Sequence, residues 1–531
     1  MKINKFTSLF ATCLLMGLTA CSNDNVSDAD SGNGAENKDL TGKTSFSITS
    51  EAKTRTSGVY NSGVDFYWTP NDNIWVKSGS TTSPTLTASS SNNITSTTTS
   101  AKFYFDGTYT AASYPVRYTG NASTSGNTVT IATSQNQDEA NNATQLGTVG
   151  DCGVGTATRQ TDGSYKFTLS HKASYITFMP YYSKEALDAS AVVTQIKVEA
   201  ANGEKLAGTF NFSDSGLGAA NSSSNSVTLT LNGTSSTTGF PIPTTATASK
   251  NAAIMVVAPG TYSTFKVTYT LYDSVTGTNS TISYTYSDIK CTAGKNQVIK
   301  TDLGMATYTS RKTDYYMWDA KSNYWNGYES SQPLLNNAEN TNYAKSSDDT
   351  RWYNTAFTYK VQTKAINSCK DEPTFEALTW YIGAGSPQLD NKTLWVFANH
   401  LYVGGIWLKK QSKISQFSSE ENYQGTNTWI SGGDIKFTVA ISGKPESSVR
   451  SDYFYLPALG QYKDGKLTDL GKKGYYWAST PNPVNSGPRS AGYGNIISAN
   501  CLRFGIDTEL NNVYVRNYYE RYVGMQVQKF E

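Results

Sequence analysis

Apolar and polar positions alternate with a period of two over many short stretches of this chain. Phe46 and Ile48 are separated by serine and flanked by threonine and serine. Phe265, Val267, Tyr269 and Leu271 alternate with polar neighbours, and Ile282, Tyr284 and Tyr286 do so again. That period is the mark of a half-buried strand. Asp273-Ser-Val-Thr-Gly277 separates the last two runs and is turn chemistry, so a hairpin is predicted there. Ile254-Met-Val-Val257 reads as a wholly apolar strand closed by Ala258-Pro-Gly260. One short stretch has helical spacing, with Phe375, Leu378 and Ile382 on one face. Thr374 is placed to cap it, Glu376 falls in its first turn and Gly383 can end it. No long helix is predicted, so the pattern points to a mainly β chain made of β-sandwiches.

The N-terminus is different. Lys2 and Lys5 precede an apolar run from Phe6 to Leu18, which has the length of a signal-peptide core and is too short for a stable membrane span. Leu18-Thr-Ala-Cys21 closes it and resembles the lipobox of bacterial lipoproteins. The resemblance implies a signal peptide over 1–20, cleavage before Cys21 and lipidation of its thiol. Residues 21–42 are acidic, rich in Gly and Asn and free of aromatics, and read as a disordered tether. Acidic residues soon after the cysteine also resemble the signals that send Bacteroidetes lipoproteins to the outer face of the outer membrane. No other apolar run is long enough to cross a bilayer.

Composition narrows the partners. Lys plus Arg is 44 and Asp plus Glu is 42, a net charge of +2, so no global field gathers nucleic acid. With 531 residues, two to four domains are expected. Of six cysteines, Cys13 leaves with the signal peptide and Cys21 carries lipid. Cys152, Cys291, Cys369 and Cys501 remain. In an oxidising compartment Cys152–Cys291 and Cys369–Cys501 are possible pairings, each within one region, though sequence leaves the connectivity open. No CxxC spacing supports zinc, and no cofactor or metal is expected.

Several motifs occur in a set order: Arg55-Thr56, Trp68 with Asp72, Ile74-x-Val76, Ala112-Ser-Tyr114-Pro115 and Leu169-Ser-His171. Together they resemble the fimbrillin family of Bacteroidetes pilins and pilus-associated lipoproteins. Asn71 stands where that family usually has glycine. The stretch 252–303 fits the family's second half. The resemblance implies two tandem pilin-like β-sandwich domains, at 43–160 and 161–304. It also implies cleavage after a basic residue near the first strand, for which Arg55 is the candidate. A neighbouring subunit's strand then fills the groove left behind.

A seam follows Gly304. Trp68 and Trp75 lie before it, and the other eight tryptophans of the chain lie after it. Residues 305–531 therefore read as a separate, aromatic-rich domain. Tyr453-Phe-Tyr-Leu-Pro457, Gly474-Tyr-Tyr-Trp477-Ala, Leu502-Arg-Phe504 and Arg521-x-x-Gly524-x-x-Val527 resemble Bacteroidetes paralogous domains related to the C-type lectin-like fold, an α+β fold. The cysteine that usually follows that valine is absent, as is the calcium signature of sugar-binding lectins. Trp318, Trp325, Tyr328, Trp477 and Arg521 are candidate ligand contacts, because rings beside amides and guanidinium groups suit sugar faces and protein hot spots alike. For any one tryptophan a place in the core is preferred, while the domain as a whole is expected to carry a binding surface.

His171 and His400 are the only histidines, and both are read as structural. HExxH and GxSxG are absent, and no enzyme is expected. An enzymatic alternative exists in formylglycine-generating enzymes, which share the lectin-like fold and would need Cys369 or Cys501 as a reactive thiol. The expected function is a surface fimbrial subunit held by its N-terminal lipid, with other pilin subunits and a host or bacterial glycan or protein as partners. The extra domain occupies the end where a shaft pilin keeps its donor strand, which suits a tip adhesin. The alternative is a glycan-binding outer-membrane lipoprotein that never polymerises.

Overall fold

The computed structural model describes residues 40–48, 57–61, 63–80, 83–121, 123–233, 238–356, 361, 363–425, 435–440, 443–482, 498–506 and 512–531. Residues 1–20, read above as a signal peptide, lie outside the described residues, as do Cys21 and Arg55. The chain divides into a unit over Met1–Gly42 and a unit over Lys43–Glu531, and the second is mainly β.

A nine-stranded sheet comes first. Its strands include Lys43–Ile48, Lys102–Asp106, Ser113–Tyr118, Gly153–Arg159 and Tyr165–Phe167. Phe46, Trp68, Val76, Phe103, Tyr118 and Phe167 share its core.

A second core lies between two further sheets. One contains Ala191–Ala200 and the long hairpin Gly260–Asp273 with Thr278–Cys291. The other contains Ser174–Tyr181, Ala253–Val257 and Asn296–Asp302. The hairpin follows its sequence pattern: Phe265, Val267, Tyr269 and Leu271 are buried. At its turn Gly277 has φ of +71°, a left-handed conformation that glycine adopts without steric cost. The Asp273 carboxylate accepts from the Val275 amide at 3.0 Å.

These two cores interleave along the chain. Val64, Phe66, Val129, Ile131 and Leu146 pack into the second core, although they precede residue 160. Gly153–Arg159 then returns to the first sheet, where Arg159 pairs with Tyr165. A boundary at 160/161 therefore crosses a pairing within one sheet.

After Gly304 the chain forms a four-stranded sheet that includes Gln388–Phe397, His400–Lys409 and Tyr453–Pro457. An eight-stranded sheet includes Lys473–Pro481, Ser498–Gly505 and Asn512–Glu520. The helix Phe375–Gly383 packs on them through Phe375, Leu378 and Ile382. Its cap is as the sequence predicts, with the Thr374 hydroxyl accepting from the Ala377 amide at 3.1 Å.

This region is fastened to the second core. Leu394, Val396 and Leu401 belong to that core. Asp273 is fully buried and accepts from the Leu401 amide at 3.0 Å, with His400 Nδ1 at 3.1 Å. Thr276 and Thr278 both donate to the Leu401 carbonyl at 2.8 Å.

Candidate functional site

The strand Lys43–Ile48 lies inside its sheet, not at an edge. It pairs antiparallel with Lys102–Asp106, Phe46 opposite Phe103, and parallel with Tyr165–Phe167, Phe46 opposite Tyr165. Both of its backbone edges are therefore occupied. Its alternation decides its orientation, because Phe46 and Ile48 face the core while Ser45 and Ser47 are only partly covered. Phe46 stacks on Tyr165 with centroids 4.6 Å apart and meets Phe105 edge-on at 4.9 Å. Its outer end is tied by Lys43 to Asp106 at 2.9 Å. This pair and its hydrogen bond hold the Asp106 carboxyl below its ordinary value. Within the Lys43–Glu531 unit, residues 49–56 are the strand's one covalent link to the rest.

The structure buries most of the candidate ligand contacts after the seam, in line with the core place preferred for any one tryptophan. Trp318, Trp477 and Arg521 do come together, but in a buried cluster with Cys369 and Cys501. Arg521 has 0 % exposure, and its guanidinium lies 4.2 Å from the Trp318 ring. It donates to the carbonyls of Ser498 at 3.1 Å, Asn354 at 2.7 Å and Ala356 at 2.9 Å. Burial pulls its pKa down to about 10. The Trp318 and Trp477 indoles donate to the carbonyls of Ala478 at 2.9 Å and Tyr316 at 2.8 Å. Trp325 is buried in a separate cluster with Tyr324 and Tyr462. Four of the five candidates thus fill a core short of aliphatic side chains. Tyr328 alone is exposed, at 41 %, with the Arg351 guanidinium 4.7 Å from its ring centre.

No disulfide forms among the described residues: Cys152, Cys291, Cys369 and Cys501 are buried thiols. The pairing Cys369–Cys501 is therefore not present, though both residues sit in one cluster. Burial pushes the Cys369 thiol far above its ordinary range, the opposite of what a reactive thiolate needs. His171 Nδ1 lies 2.8 Å from Asp151 and its ring stacks on Phe66 at 4.0 Å, a core arrangement. His400 serves the contact with Asp273 described above.

A cavity of about 800 Å³ opens where the Thr278–Cys291 strand meets the four-stranded sheet. Trp407, Tyr308 and Tyr455 line it. The Trp407 indole donates to Asp390 at 2.9 Å and packs on Tyr455 at 4.8 Å. Asp390 also accepts from the amides of Lys392 at 2.9 Å and Thr393 at 3.0 Å. Burial alone would raise the Asp390 carboxyl, but these donors outweigh it and hold it below the ordinary value. Sequence reasoning did not single these residues out. One local signal was present, Asp390-Asn-Lys-Thr393, a turn-type cluster inside an otherwise strand-like run, and here the strand register shifts.

No family model matches the chain, and no curated protein matches it. Solved structures do align. A candidate cell adhesion protein from Bacteroides uniformis covers 49 % of this chain and 91 % of its own, at 14 % identity and a TM-score of 0.30. One from Bacteroides fragilis covers 49 % and 92 %, at 12 % identity and 0.25. A fimbrial protein from Bacteroides ovatus covers 53 % of each chain, at 12 % identity and 0.23. The likeness is to Bacteroides cell adhesion and fimbrial proteins. At this level it leaves the function to be read from the chain's own geometry.

Proposed function

We propose that this chain is a lipid-anchored surface subunit of a fimbrium. Its first strand is a placeholder, later exchanged for the strand of another subunit, and its C-terminal region is an adhesive head for a glycan or a protein. The observation that supports this is the interior position of Lys43–Ile48, paired on both sides and tied to the rest of its unit by residues 49–56 alone. Cleavage at Arg55 would free that link without cutting any other strand. Burying Phe46 and Ile48 contributes about 1.5–3 kcal/mol each, so the severed strand leaves only when a replacement refills the same pockets. A replacement must also pair with two strand edges that would otherwise be left open. Cys21 supplies the membrane attachment before cleavage, and the outer membrane surface is the expected location.

The test is the N-terminus of the protein on intact cells, read by mass spectrometry of the surface fraction. A start at Thr56 supports strand exchange and assembly. A lipidated Cys21 followed by intact residues through Thr56 overturns exchange and leaves a glycan-binding lipoprotein that does not polymerise.

A further inference from the structure

We propose that the cavity between the Thr278–Cys291 strand and the four-stranded sheet is a binding site for a carboxylated sugar. This deepens the adhesive-head reading above and rests on it. The cavity, at about 800 Å³, is within the size of small-ligand sites. Three half-buried rings line it, those of Tyr308, Trp407 and Tyr455. The Trp407 ring cannot swing freely, because Asp390 holds its N–H and Tyr455 backs it. A fixed ring is a low-entropy platform for the apolar face of a sugar.

The charge around the cavity selects among sugars. Asp390, Lys392 and Lys444 are the charged residues lining it among the described residues. Asp390 is fully buried, and its acceptors are already used by Trp407, Thr393 and the Lys392 amide. Lys392 and Lys444 are exposed at the rim. The opening therefore presents two ammonium groups and no available carboxylate, which suits an anionic ligand. Asn391 stands beside them for neutral hydroxyls. An added peptide strand fits less well: Ser280, on the bordering strand, already donates to the Lys392 carbonyl at 2.9 Å.

Titration calorimetry of the purified full chain tests this with sialyllactose and trigalacturonate as probes and lactose as the neutral control. At least one carboxylated probe should bind and lactose should bind far more weakly. The double variant Lys392→Gln/Lys444→Gln, which alters only exposed side chains, should lower that affinity by about tenfold or more. Trp407→Ala should lower it as well. Three results overturn the assignment: no binding of either acidic sugar, unchanged binding by the double variant, or equally tight binding of a polyglutamate peptide. Beads coated with the protein separate the two readings. If they adhere to mucin or bacterial surfaces while any of those three results holds, the cavity assignment fails and the adhesive head stands. If they adhere to nothing, the adhesive head fails too.

Discussion

Arg521 carries more of the C-terminal region than any exposed ring. Its three carbonyl partners come from distant parts of the chain, at Asn354, Ala356 and Ser498. Arg521→Ala removes three hydrogen bonds from a buried guanidinium, at about 1.5–3 kcal/mol each for bonds to a charged group. We expect a loss above about 3 kcal/mol in denaturant unfolding, and Arg521→Lys should not restore it, because an ammonium cannot span three carbonyls and stack on Trp318. An unchanged midpoint for either variant would contradict this role. Glu372 gives a pH prediction. Burial, first among its causes, pushes its carboxyl up to about 8, and Oε2 has no hydrogen-bond partner. In the unfolded chain it titrates near about 4.3. Between those values the folded state holds a proton that the unfolded state releases, so stability falls as pH rises through that window. Glu372→Gln should match the native protein at pH 4 and exceed it by a few kcal/mol, to order of magnitude, at pH 9. A wild-type-like pH profile of melting temperature would sink this assignment.

At the scale of elements, the first strand is the point of leverage. Phe46 touches Tyr165, Phe105 and Tyr109, which come from both sides of its strand. Phe46→Ala should cost about 3–5 kcal/mol, read as a lower midpoint in calorimetry. A synthetic peptide that repeats the alternation of 43–48 should raise the melting temperature of Arg55-cleaved protein in a concentration-dependent way. No response to the peptide would argue against an exchangeable strand. Much at this scale was legible locally. The 265–271 and 282–286 alternations, the Asp273–Gly277 turn and the Thr374 cap all depend on neighbours within a few residues, and each is present. The interleaving of 128–149 into the second core was not legible, because a strand's period does not say which sheet it joins.

For the molecule as a whole, Asp273 is the joint between the second core and the C-terminal region. It is buried and serves Ser190, Val275, His400 and Leu401 at once. Asp273→Ala leaves the buried donors it serves without their acceptor, at about 1–3 kcal/mol each. It should also split calorimetric unfolding into two transitions, since the two regions would then melt less cooperatively. One unshifted transition would show that the apolar contacts of Leu394, Val396 and Leu401 suffice. The cavity also lies where these two regions meet, and the bond from Ser280 to the Lys392 carbonyl beside it joins residues over a hundred positions apart.

By itself the sequence determined the mainly β class, the hairpin and the capped helix. These follow from period, turn chemistry and composition, which act over short range. Only the tertiary structure decided which aromatic residues lie inside. Trp318 occurs in the polar run Asp314-Tyr-Tyr-Met-Trp318-Asp and Trp407 in the apolar run Val403-Gly-Gly-Ile-Trp407-Leu, yet the first is sealed beneath Arg521 and the second lines an open cavity. That difference comes from partners brought together across long separations, and local pattern holds no record of them.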